Sequence, residues 1–163
     1  MWTFPSAPRA IAFVDGQNLF YAAKEAFGYR FPNYAMPDLP AAVCEQQRWH
    51  LEEVRFYTGV PTAYDNPVWH RFWSAKLGVF GHRDVHVFSR LLRYRHKTVR
   101  LPDGTDHTFM VGEEKGIDVR IALDIIRLAH HRAYDVALVF SQDQDLAEVA
   151  DEIRKISPSK FAG

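Results

Sequence analysis

The chain has 163 residues, of which 47% are apolar and 25% charged, a balance that suits one domain with a sizeable core and excludes wholesale disorder. Twenty Lys plus Arg face 20 Asp plus Glu, so the net charge is zero and any surface that attracts a polyanion must be local. The longest apolar runs, residues 10–14 and 136–140, are far short of the ~20 residues of a membrane-spanning helix; with a lone cysteine, Cys44, and no leader pattern, a reducing cytoplasm and no membrane contact are expected.

Residues 10–14 form a continuous apolar run stopped by Asp15-Gly16, the pattern of a strand buried on both faces. Residues 18–27 read as a helix, 28–37 as a loop, and 39–48 as a second helix with Asp38 as its cap. A second strand is expected over 51–58. Asn66-Pro67 is a strong helix start, Asn as cap and Pro at the first helical position, so residues 68–79 should be helical, closed near Gly81. Trp69, Phe72, Trp73 and Phe80 make one broad apolar surface on it, core or subunit contact. Residues 84–89 read as a third strand. Residues 90–100 and 105–111 then form an inserted hairpin turning at Pro102-Asp103-Gly104.

Residues 116–131 have the clearest helical period. Asp118, Ile121, Ala122, Ile125 and Ala129 share one face, expected to be buried, while Arg120, Asp124, Arg127 and His131 share the other. Residues 135–140 form another apolar strand, Ser141-Gln142-Asp143 a turn, and 146–156 a last helix. Strands alternating with helices imply an α/β fold with a mostly parallel sheet covered on both faces. The whole of residues 1–163 reads as one domain, its core at about 10–156 and the hairpin at about 90–111. Ligands in such sheets sit beyond the carboxyl ends of the strands, where the strand order reverses.

Three acidic pieces fall at such ends: Asp15 after the first strand, Asp118 in the first turn of the long helix, and Asp143 with Asp145 after the last strand. If the strands carrying Asp15 and Ser141 are neighbours, these carboxylates share a pocket, and like charges so placed call for protonation or a cation. Oxygen ligands beside the amide of Asn18 favour Mg²⁺ or Mn²⁺. Each acid also has a plainer reading. Asp15-Gly16 is a common turn pair, Asp143 can cap the last helix, and Asp118 can complement the helix dipole.

Val14-Asp15-Gly16-x-Asn18, Lys115-Gly116-Ile117-Asp118-Val119 and Val139-Phe140-Ser141-Gln142-Asp143-Gln144-Asp145-Leu146 together resemble, in order and spacing, the three signatures of the NYN domain. That family is a branch of the PIN-like nuclease superfamily that includes the LabA-like proteins. The resemblance implies a three-layer α/β/α fold and metal-dependent hydrolysis of RNA phosphodiesters. Asp15, Asp118 and Asp143 would be the catalytic, metal-holding acids, Asp145 a further metal-side acid, and Asn18 and Ser141 supporting polar groups. Gln142 stands where the family usually has glycine and Leu146 where phenylalanine is common. The family also continues past the last helix into a strand and a helix for which this chain has no room, so the last strand is expected to be missing and the sheet edge at 135–140 open to another copy.

The hairpin supplies local cations. Arg93, Arg95 and Lys97 fall on one side of an alternating strand, Tyr94 and His96 on the other. The cations and Lys115 would contact phosphates, and Tyr94 would stack a base of single-stranded RNA; the plainer reading is an arm charged against edge pairing. The leading expectation is an Mg²⁺- or Mn²⁺-dependent ribonuclease, and the alternative is a non-catalytic RNA- or protein-binding module on the same fold.

Overall fold

A computed structural model describes residues 6–31 and 34–156. Residues 32 and 33 of the expected loop, and residues 1–5 and 157–163 of the expected single domain, lie outside the described residues. Four strands, β1 (Arg9–Asp15), β2 (His50–Val60), β3 (Val85–Leu91) and a later β6 (Val136–Phe140), form one sheet in the order β3-β2-β1-β6, every neighbouring pair parallel. The order reverses at β1, whose chain neighbour β2 lies on one side and the last strand on the other.

β1 is buried from Ala10 to Asp15, as a continuous apolar run requires. Its alternate residues feed two cores. Ala12 and Val14, with Val54 and Phe56 of β2, pack with Trp73 and Phe80 of α3 (Pro67–His82) and with Leu19 of α1 (Gly16–Phe27). Ala10 meets Cys44 of α2 (Asp38–Gln47) on the same side. Ile11, Phe13 and Tyr57 pack on the other side against Ile117, Ile121 and Ile125 of α4 (Ile117–His130) and Val149 and Ile153 of α5 (Ala147–Ile156). The result is the expected three-layer α/β/α arrangement. Among the described residues β6 forms one edge of the sheet.

Local chemistry accounts for most boundaries. The Asn66 side chain accepts from the Trp69 amide at 3.1 Å, with Pro67 opening α3, so cap and first turn agree with the sequence. The aromatic face of that helix is largely core: Trp73 and Phe80 are buried and their rings contact Phe56. α2 starts one residue earlier than expected. Pro37 occupies the cap position, and Asp38, inside the first turn, pairs with Arg83 at 3.0 Å instead of capping. The hairpin of β4 (Arg93–Arg100) and β5 (Asp106–Glu113) is antiparallel and separate from the main sheet. Its turn needs Gly104, at φ 84°, a conformation that costs a side-chain-bearing residue more than glycine.

One helix face differs from the sequence reading. Asp124, expected on the polar side of α4, is only 2% exposed, whereas Asp118 and Ala122 are half-buried. The reason is β2, which turns Arg55 and Tyr57 toward α4. The Tyr57 hydroxyl donates to Asp124 Oδ2 at 3.0 Å, Arg120 and Arg127 pair with Oδ1 at 3.2 and 3.3 Å, and the buried Arg55 lies 3.6 Å from Oδ2 and 3.0 Å from Glu53. The Arg55 Nε and Nη1 contacts are charge pairs without hydrogen-bond alignment. Burial of a charge is tolerable when it is paired in this way, and removing one partner is costly. Asp124→Ala is therefore expected to lower the unfolding free energy by about 3–5 kcal/mol, read as a fall in the urea midpoint.

Candidate active site

Asp15 ends β1 and caps α1, which begins without a connecting loop because position 16 is glycine. A Cβ there would lie 2.4 Å from the Phe56 ring. Asp15 is 3% exposed, and Asn18 holds both its oxygens, the backbone amide donating to Oδ1 at 3.0 Å and Nδ2 to Oδ2 at 2.6 Å. A carboxylate has roughly four lone-pair sites, so each oxygen keeps accepting capacity. Val14 pairs with Phe140 across β1 and β6, which brings Ser141 alongside. Asn18 Nδ2 donates to Ser141 Oγ at 3.3 Å, Ser141 Oγ accepts from the Asp143 amide at 3.1 Å, and Asp143 Oδ1 accepts from the Asp145 amide at 2.9 Å. The first and third motifs are thus joined by one hydrogen-bonded chain through the two expected supporting groups.

The departures from the family pattern do not disturb that chain. Gln142 is exposed, and Leu146 packs against the Ile11–Ile153 core cluster, so an apolar residue still anchors the turn.

The sequence reading missed Glu114. It follows β5, and its Oε2 accepts from the Gly59 amide at 2.7 Å; a Cβ on Gly59 would fall 2.9 Å from that oxygen. Burial pushes the Glu114 carboxyl up to about 7, and the charges of Asp15 and Asp118 push the same way, against the stabilising Gly59 N–H. Carboxylates from the end of β1 and the start of α4 therefore both act on the one that follows β5. The signal available in sequence was the acid pair Glu113-Glu114 just before Lys115-Gly116, but a strand terminus has no periodicity to mark it.

Asp118 also faces a groove of about 640 Å³ between α4 and α5, shared with Asp145, Glu148 and Glu152. Cations approach from the other side. Gly116, at φ 75°, precedes α4, and a Cβ there would sit 2.7 Å from Arg90 Nη1. Arg90 and Arg120 both lie over the Phe88 ring, 5.3 and 5.0 Å from its centroid. Lys115 is exposed beside them. Arg93, Arg95 and Lys97 are exposed on β4, with Arg95 paired to Glu113. Tyr94 and His96, on the opposite side of the strand, line a second and larger cleft of about 1000 Å³.

Among the described residues no three His, Cys, Asp or Glu side chains are gathered closely enough to hold a metal ion. The acids form a region of concentrated negative charge without a ready-made cage. Their donor chemistry is nonetheless that of a hard divalent cation, oxygen throughout, and the Glu114 carboxyl, raised mainly by burial, is raised further by Asp15 and Asp118.

The sequence model of the NYN domain matches residues 9–157, nearly the whole chain. The chain belongs to the NYN domain family. NYN domains are PIN-like nuclease domains, and the parallel sheet with its acidic carboxyl ends is consistent with that fold. Comparison with curated proteins gives no match, and neither does comparison with solved structures.

Glu114 gives this NYN domain a pH signature. Its carboxyl is pushed up to about 7 in the folded chain from an ordinary 4.5, so the folded state binds more protons across that window and stability falls as pH rises from about 4.5 to 7, then levels. Glu114→Gln is expected to remove that slope and to be more stable than the wild type at pH 8, checked by urea unfolding at pH 5 and pH 8.

Proposed function

We propose that this NYN domain is a metal-dependent ribonuclease that hydrolyses phosphodiester bonds in single-stranded RNA. The observation that carries the reading is the hydrogen-bonded chain from Asp15 through Asn18 and Ser141 to Asp143 at the carboxyl ends of β1 and β6, beside the point where the strand order reverses. Ligand sites in parallel α/β sheets occupy that position, and concentrated carboxylate charge there suits a cation better than it suits folding.

Asp15, Asp118 and Asp143 would hold Mg²⁺ or Mn²⁺, with Asp145 at the outer side and Glu114 as an additional oxygen donor. Bound there, such an ion would supply a nucleophilic water and stabilise charge on the phosphate oxygens. The chain's own residues orient and bind. Asn18 fixes both oxygens of Asp15 and ties them to Ser141, and Ser141 holds the Asp143 amide, which sets where that acid stands. Lys115, with Arg90 on Phe88, offers positive charge next to the acids for the phosphates flanking the cut, while Arg120 is engaged with Asp124. Arg93 and Lys97 extend it along the hairpin, while Arg95 is engaged with Glu113. The buried, lone Cys44 supports a reducing, cytoplasmic setting.

The absence of three gathered ligands among the described residues favours a second reading, an RNA- or protein-binding module that has kept the fold without hydrolysis. Cleavage of a labelled single-stranded RNA separates the two. With Mg²⁺ or Mn²⁺ the purified wild type is expected to cut, EDTA to stop it, and Asp118→Asn to lower the rate by more than about 100-fold, since even outer-shell partners of a metal contribute ~10–100-fold. RNA binding that persists in EDTA, with no cutting and no calorimetric heat from millimolar Mn²⁺, would establish the binding module instead.

A further inference from the structure

The cleft between α1, α3 and the hairpin encloses about 1000 Å³, and the hydrolytic reading above gives no role to Tyr21, Tyr64 or Trp69 in its wall. We propose that it seats an unpaired nucleobase of the RNA strand, next to the nucleotide being cut; the choice of substrate rests on the ribonuclease reading.

Four features support this. The first is aromatic rings open to solvent. Tyr64 is 95% exposed and Tyr21 53%, and both line the cleft with Trp69 and Tyr94. Rings left this exposed add nothing to the core, whereas stacking on a base uses them. The second is placement. Tyr94 is pressed against β5 at Gly112, where a Cβ would lie 2.9 Å from the ring, so a glycine lets the ring lie close to the strand. His96 lies two residues on, on the same side of β4.

The third feature is charge. Lys24 and Arg30 flank the cleft against a single acid, Asp65, an excess of positive charge that matches a polyanion, although the chain as a whole is neutral. The fourth is continuity with the acidic site. Thr58 and Gly59 form part of the cleft wall, Gly59 donates to Glu114, and Gln17 follows Asp15 by two residues. A strand whose phosphate lies at the acids thus has its neighbouring base within reach of the rings. A paired base cannot offer its face to a side chain, so the occupant is single-stranded. A cavity of this size also falls in the range that encloses small ligands.

The test uses the full chain in EDTA, where binding is read without cutting. The probe is an eight-nucleotide RNA with one central 2-aminopurine, beside the same oligomer abasic at that position. Binding is expected to quench the 2-aminopurine. Tyr64→Ala and Tyr94→Ala are each expected to weaken binding by about 5- to 150-fold, the equivalent of ~1–3 kcal/mol of stacking. Tyr94→Phe should bind as the wild type does, and the abasic oligomer should not distinguish wild type from variants. Tyr64, almost wholly exposed, keeps the test independent of folding.

An unquenched probe, unchanged affinity in both alanine variants, or the same loss with the abasic oligomer would overturn the pocket. A shift to dimer in sedimentation that the Tyr64→Ala change abolishes would also overturn it, assigning the cleft to a second copy. The ribonuclease reading fails separately: quenching without metal-dependent cutting leaves the pocket and removes the nuclease, and cutting without quenching does the reverse.

Discussion

Asp15 stands where it does because β1 is hydrogen-bonded on both sides, to β2 up to the Asp15–Tyr57 pair and to β6 up to Val14–Phe140. Register in a two-faced buried strand is tightly specified, since a slip of one residue would exchange the residues facing the two helical layers. A slip of β1 would move Ile11 and Phe13 away from α4 and carry Asp15 with them. The same parity that buries Tyr57 toward α4 turns Asp15 toward the start of that helix, where Asp118 waits. The two cores and the acidic site therefore depend on a single register, and the hydrogen bonds through Asn18 and Ser141 close it at the strand ends.

Much of this was legible because it is written in short-range patterns. The apolar run ending at Asp15, the Asn66-Pro67 start of α3 and the Asp103-Gly104 turn each have one local physical solution, and the structure adopts it. The first and third motifs were brought together in the same way, since fixed spacing after the buried, paired strands β1 and β6 determines where Asn18 and Ser141 emerge. What failed was Asp124. Helical periodicity counts a charged residue as polar surface, and it cannot see that another strand, β2, delivers Arg55 and Tyr57 to meet it. Glu114 and the aromatic cleft escaped for a related reason. Both are assembled from chain ends and loops distant in sequence, Gly59 with Glu114 and Tyr64 with Tyr94, whose proximity exists only after the hairpin folds over the ends of β2.

Zero net charge conceals a marked separation of charge in space. Acids collect along α4, α5 and the end of β1, while Lys24 and Arg30 gather around the cleft and Arg90 and Lys115 at the start of α4. A neutral chain has no long-range field to draw in nucleic acid indiscriminately. Attraction operates within roughly a Debye length, about 8 Å at physiological salt, so a strand has to be close before it is sensed. Such a surface favours contacts to a few phosphates and a base over coating of any polyanion, and its affinity should vary with salt only as those few contacts dictate.

The two acids of α4 show how structural and functional charge can be told apart on one helix. Asp124 and Asp118 are six residues apart, about 9 Å along the axis at 1.5 Å per residue. Asp124 is buried and engaged by a tyrosine and three arginines, so its charge is cancelled where it sits and its loss would be felt in folding. Asp118 is half-buried and acts on Glu114 as one of two like charges that oppose its ionisation. An arrangement of the second kind lowers stability wherever it occurs, because each carboxylate raises the cost of charging the next. It becomes favourable only when something positive arrives, and binding then stabilises the folded state by the difference. A fold that neutralises Asp124 so thoroughly had the means to do the same six residues earlier. Asp118 and Asp15 instead add to the burial that already raises the Glu114 carboxyl, so a cation bound among them would offset a cost that the fold leaves standing.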